Sequence, residues 1–190
     1  MSVRIETLES RLFLSAATLS TDEGTLHSDI AALGSAGTSW ESTLEGSVTR
    51  LTGKDKALGG KWVKGDLSKY KALLKADTVG AAAVNKDVAK LDADAAGSTS
   101  SAQQKKVSVD ESKLQAAATK AQSAITADSN GVLSANTAGL TAISNALPSN
   151  TQLQSDIVTI ESDAATRVAT IQADAATVFT TDVGDVITTA

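Results

Sequence analysis

The chain has 190 residues and a net charge of −5, with 42% hydrophobic but only 3% aromatic residues, no Cys, one Pro and one His. Without Cys there are no disulfides, no thiol catalysis and no Cys-ligated zinc, and no apolar run approaches the ~20 residues of a membrane span. The charge falls in blocks of −5 over residues 1–49, +6 over 50–120 and −6 over 121–190, which predicts that the middle of the chain lies against both ends.

Ala, Val and Leu dominate the apolar set, a composition that suits closely packed helices, and Ala is the best helix former. The many Ser and Thr residues compete for backbone hydrogen bonds, so packing must hold the helices. The first helix is predicted over Thr21–Leu51. Leu26, Ile30, Leu33, Gly37, Trp40, Leu44, Val48 and Leu51 share its face through steps of three and four. Thr21 reads as its cap, and Gly34, Gly37 and Gly46 weaken it, with a bend expected near Gly34–Gly37. Gly53 to Gly65, with Gly59-Gly60 inside, reads as a turn. The second helix is predicted from near Asp66 to about Ala96, on the stripe Leu67, Tyr70, Leu74, Asp77, Ala81, Val84, Val88, Leu91 and Ala95. Asp77 in that seam reads as a register-fixing polar residue.

Gly97 to Ser101 is a breaker, and the third helix is predicted from Ser108 or Asp110. Its stripe runs through Leu114, Ala117 or Ala118, Ala121 and Ile125. It continues in phase through Val132 or Leu133, Asn136, Leu140, Ile143 and Leu147, so one long or kinked helix is expected across Asp128-Ser129-Asn130-Gly131. Pro148 closes it. The fourth helix starts at Ser149 or Asn150 and carries Leu153, Ile157, Ile160, Ala164, Val168, Ile171, Ala175 and Val178 on one face. Val178 to Ala190, rich in Thr and Val, is expected to be a frayed helix or extended. The fold class is therefore all-α, with long antiparallel amphipathic helices in an up-and-down four-helix bundle or an elongated coiled coil.

Candidate chemistry is sparse. His27 stands at the edge of the first stripe, and Asp22 and Asp29 beside it make no triad, so a partly exposed surface His is expected. Asp92, Asp94 and Gly97 match three positions of a calcium loop, but Ala96 and Gln103 replace two ligands, so a helix C-terminus is the better reading. Asp128 to Gly131 resembles a cation loop, which helix punctuation explains without an ion. Asp156, Glu161, Asp163 and Asp174 scatter along a solvated side. Gly53-Lys54 and Gly60-Lys61 lack the rest of a phosphate loop. No catalytic residue, metal site or cofactor is expected. The remaining candidate is an anion-binding face in which Lys54, Lys56, Lys61, Lys64, Lys69, Lys71 and Lys75 surround Trp62 and Tyr70. The rival reading makes the two aromatics core anchors and the lysines a wet rim. The acidic pI near 4.9 disfavours nucleic acid as the main partner.

The first residues differ from the rest. Leu8-Glu9-Ser10-Arg11-Leu12-Phe13-Leu14-Ser15-Ala16 resembles the N-terminal LEPR-XLL motif of planctomycete surface and secreted proteins, with Ser10 in place of Pro and Phe13 inside the apolar stretch. The resemblance covers residues 5–16 only. It implies export or surface association, and the family has no common enzymatic activity to carry over; cytoplasmic residence is the alternative address. Residues 1–16 are accordingly expected to lie outside the core as a sorting-like segment, with residues 17–190 a single helical domain. The resulting expectation is a non-catalytic structural or interaction protein, exported or surface-associated, partnered through its own helices or with an anionic surface. Its rival is a binding module that uses residues 54–75 on an anionic polymer or membrane.

Overall fold

A computed structural model of the chain describes residues 2–47, 54–96 and 100–190, with side chains over 14–45, 59–96 and 100–190. Four long helices, α1 (Ser2–Ser47), α2 (Lys54–Ala95), α3 (Ser101–Ala146) and α4 (Thr151–Ala176), are followed by a π-helical turn, Thr177–Asp182, and a short α5, Val183–Thr189. No strand occurs among the described residues. The protein is an all-α helical bundle.

Ser and Thr do not break these helices, because their hydroxyls bond back onto their own helix. Thr21 donates to the Ala17 carbonyl at 3.0 Å, and Thr43, Thr119, Thr159 and Thr166 each bond the carbonyl four residues earlier. Thr21 therefore lies inside α1 rather than capping it. The real caps are Ser100, whose Oγ accepts from the Gln103 N–H, and Asn150, whose Oδ1 accepts from the Leu153 N–H at 3.0 Å. Gln154 reaches back to the carbonyls of Ser144 and Leu147, which also accept the backbone N–H groups of Leu147 and Asn150, and so ties the start of α4 to the end of α3.

The chain groups into two compact units. The first comprises Met1–His27, Ala76–Ile125 and Ala173–Ala190; the second comprises Ser28–Lys75 and Thr126–Gln172. In the first, Glu23 meets Asn85 while His27 meets Asp77, so α1 and α2 run antiparallel. Lys90 pairs with Asp110 while Gly80 faces Ala121, so α2 and α3 also run antiparallel, and Thr180 of the last segment meets Gln122. The core of this unit is Leu19, Leu26, Val84, Leu91, Leu114, Ile125, Val178, Phe179 and Val186. In the second, Trp62 meets Asn136, Ser144 meets Gln154 and Gln172 meets Asn130, again with alternating direction. Its core is Ile30, Leu33, Trp40, Leu73, Leu140, Ile143 and the α4 row Leu153 to Ile171.

Several expected boundaries move. The helix of residues 54–95 runs through Gly59-Gly60 and Gly65, where a turn was predicted. Anchoring of Trp62, 5% exposed and bonded to Asn136 at 3.1 Å, outweighs the cost of those glycines, about 1 kcal/mol each. Within α2 the buried row is Trp62, Leu73, Asp77, Val84, Val88 and Leu91, whereas Leu67 is 49% exposed. A reason for that phase is Gly80, where a Cβ would stand 2.7 Å from the Cβ of Ala121: only a glycine lets α2 and α3 approach so closely there. The third helix crosses Asp128 to Gly131 without a break. Ser129 is fully buried and bonds the Thr126 carbonyl and Gln172, so no turn forms there. The end of the chain is neither frayed nor extended. A π-helical turn adds one residue per turn, which brings both Val178 and Phe179, and then both Asp182 and Val183, to the inside. Gly53 and Gly97–Thr99 lie outside the described residues, as do the side chains of residues 5–13.

Candidate functional site: an aromatic cleft in the second unit

Both tryptophans and the one tyrosine of the chain line a single cleft between α1 and α2. Spacing places them. On α2, Trp62, Asp66 and Tyr70 are four residues apart and stack along one face; on α1, Gly34, Gly37 and Trp40 recur every three residues, with Glu41 four after Gly37. The cavity measures about 190 Å³ and its wall is mostly apolar, completed by Leu33, Val63, Leu67 and Val132. Its polar groups are the carboxyls of Asp66 and Glu41 and the hydroxyls of Thr38 and Tyr70. Neither Lys nor Arg appears among its lining residues.

The rings are held from behind. The indole N–H of Trp40 donates to Asp163 Oδ2 at 3.0 Å, and Arg167 braces that carboxylate through Oδ1 at 3.0 Å. The indole N–H of Trp62 donates to the buried Asn136. Glycines make room for the rings: a Cβ at Gly139 would stand 2.7 Å from Cγ of Trp62, and one at Gly34 would stand 2.7 Å from Cε2 of Tyr70. At Gly37, by contrast, a Cβ would meet nothing within 4 Å, and that open space belongs to the cleft. Asp66 Oδ1 is buried and has no hydrogen-bond partner among the described residues. Burial pushes its carboxyl up to about 7, against a smaller opposing pull from the Trp62 side chain.

Three polar clusters lie in the first unit. Asp110, 2% exposed, accepts from Lys90 and, at 3.1 Å, from Lys113, and Lys90 also holds Asp94. The Lys90 contact draws the Asp110 carboxyl down to about 2. Asp94, the third position of the calcium-like run, is thus an ion-pair partner within α2. His27 Nδ1 lies 2.7 Å from the buried Asp77 Oδ2. Beside it Glu23, raised by burial, accepts from Asn85. Asp182, 5% exposed, is pushed up to about 6 by burial and by the neighbouring Asp22 and Asp185. None of these, among the described residues, forms a group of three or more ligands placed to hold a metal ion.

The predicted lysine–aromatic face is divided by the fold. Lys61, Lys64, Lys69, Lys71 and Lys75 are exposed, while Trp62 is buried and Tyr70 turns into the cleft. The side chains of Lys54 and Lys56 lie outside the described residues. In the sequence Gly34 reads only as a helix weakener, Gly37 as a weakener on the apolar stripe, and Asp66 only as a helix start. The matching four-residue spacing of Trp62, Asp66 and Tyr70 was the available signal. No family model, curated protein or solved structure matches this chain, and among the described residues no helix is long and apolar enough to cross a membrane.

Proposed function

We propose that the protein is a non-catalytic interaction protein, exported or surface-associated, whose binding surface is the aromatic cleft. The observation that carries this reading is the convergence of Trp40, Trp62 and Tyr70 on one apolar concavity with few polar groups, the usual make-up of a small-ligand site. Rings braced by Asp163 and Asn136 cost little further ordering on binding. The volume suits a ligand of roughly one ring, since an apolar cavity of about 150 Å³ accommodates benzene. Export is supported by the likeness of residues 8–16 to the LEPR-XLL motif.

A fluorine NMR titration with fluorobenzene tests the cleft. The protein should broaden the ligand resonance saturably, and Gly37→Leu, whose Cβ meets nothing within 4 Å and whose branch extends into the open space, should suppress that effect while the fold persists. Equal broadening by both proteins would place binding elsewhere. Fractionation of producing cells tests the address: recovery from the surface or medium is expected, and retention inside the cell contradicts it.

A further inference from the structure

An apolar cleft lined by aromatic rings and carboxyls, with no basic side chain, has a definite electrostatic sign. Ring faces are negative and attract a cation set over them. Asp66 and Glu41 add acceptors of the same sign, one on each helix wall. Asp66 Oδ1 is buried without a hydrogen-bond partner among the described residues, an arrangement that costs stability and that a bound cation relieves. An anion would find two hydroxyls, of Thr38 and Tyr70, but no basic side chain among the lining residues to offset the repulsion of ring faces and carboxylates.

We infer that the cleft takes a small quaternary ammonium ion with an apolar body, seated among Trp40, Trp62 and Tyr70 with its charge toward Asp66 and Glu41. This rests on the cleft being a binding site, as proposed above. A quaternary ammonium carries no N–H, so it needs no directed acceptors, and methyl groups on nitrogen pack against rings as hydrocarbon does. Both features match a wall that offers ring surface and charge but few hydrogen-bonding groups. The raised carboxyl of Asp66 agrees with this: at neutral pH it is poised to ionise when a cation arrives.

The test is isothermal titration of the whole protein with choline and with its neutral carbon isostere, 3,3-dimethylbutan-1-ol. Choline should bind at least about tenfold more tightly. Asp66→Asn should remove most of that preference by weakening choline far more than the alcohol, and Gly37→Leu should abolish binding of both. Equal affinity for the two ligands overturns the charge assignment and leaves the cleft reading standing. Failure of both ligands to bind overturns the cleft reading itself. A choline affinity indifferent to Asp66→Asn removes that carboxylate from the site.

Discussion

The ring of Tyr70 occupies the space that a side chain at position 34 would need: a Cβ on Gly34 would fall 2.7 Å from Cε2 and from the hydroxyl of Tyr70. The clashing atoms are the far end of a half-buried side chain, which can swing outward. Gly34→Ala should therefore leave stability nearly unchanged, because the gain of about 1 kcal/mol in helix propensity offsets the displaced ring. It should, however, open the cleft on the Tyr70 side and weaken ligand binding. Thermal denaturation beside a ligand titration checks this; a large loss of stability would mean Tyr70 is fixed.

Two other glycines should behave differently. At Gly139 the obstacle is the root of the buried Trp62 side chain, and at Gly80 it is Ala121, including its Cα at 3.4 Å. Neither can rotate away, so the helices must separate. Gly139→Ala and Gly80→Ala should each destabilise by about 1–3 kcal/mol. Gly60→Ala, facing open space, should stabilise by up to about 1 kcal/mol. Urea denaturation of the three variants gives the ordering, and equal effects would contradict the packing described.

His27 and Asp77 give a third expectation. The Asp77 carboxylate is 5% exposed, whereas the His27 ring is 58% exposed, so the histidine serves as a lid on a buried charge. Its loss in His27→Ala strands the carboxylate near Glu23 and should cost about 1–3 kcal/mol. Adding Asp77→Leu should recover most of that, because an apolar side chain needs no partner. A double variant no more stable than His27→Ala would show that the pair is not the source of the loss.

Acid should first stabilise the protein and then destabilise it. Burial raises the carboxyls of Glu23, Asp66 and Asp182, the last two to about 7 and about 6. Between the ordinary carboxylate range and these values the folded state holds more protons than the unfolded chain, so stability falls as pH rises through about 4 to 7. Asp110 acts with the opposite sign. Its carboxyl sits near 2, and its contribution is lost as pH drops from about 4 toward 2. The melting temperature should therefore rise from pH 8 to about 5 and fall below about 4. Asp66→Asn should flatten the upper part of the rise, adding on the order of 1–2 kcal/mol at pH 8 once solvent screening at the cleft is allowed for. A melting temperature flat from pH 8 to 5 in the parent protein would contradict the burial argument.

The fourth helix was fully legible in the sequence, since every residue predicted on its face from Leu153 to Val178 is buried. The second was legible as a helix and in phase at Asp77, Val84, Val88 and Leu91, which are buried, but not at its start, where Leu67 is exposed. Leu67 and Asp66 compete for adjacent rows, and hydrophobicity favours Leu67, but the close approach at Gly80 and the anchoring of Trp62 select the row that carries Asp66. A count of apolar residues does not register a glycine whose value is its missing side chain. The same blindness hid the cleft, which needs Gly34 and Gly37 of one helix to meet Asp66 and Tyr70 of another. Asp77 was readable as a seam residue, but His27, fifty positions away, could be named its partner only from the fold.

The cleft is tested most directly by fluorine NMR of the protein labelled with 5-fluorotryptophan, which carries two indole resonances because the chain has two tryptophans. Titration with choline or with 3,3-dimethylbutan-1-ol should shift both resonances along one saturable curve, and Gly37→Leu should abolish the shifts. If neither ligand moves either resonance, the cleft is a packing gap between helices and not a binding site.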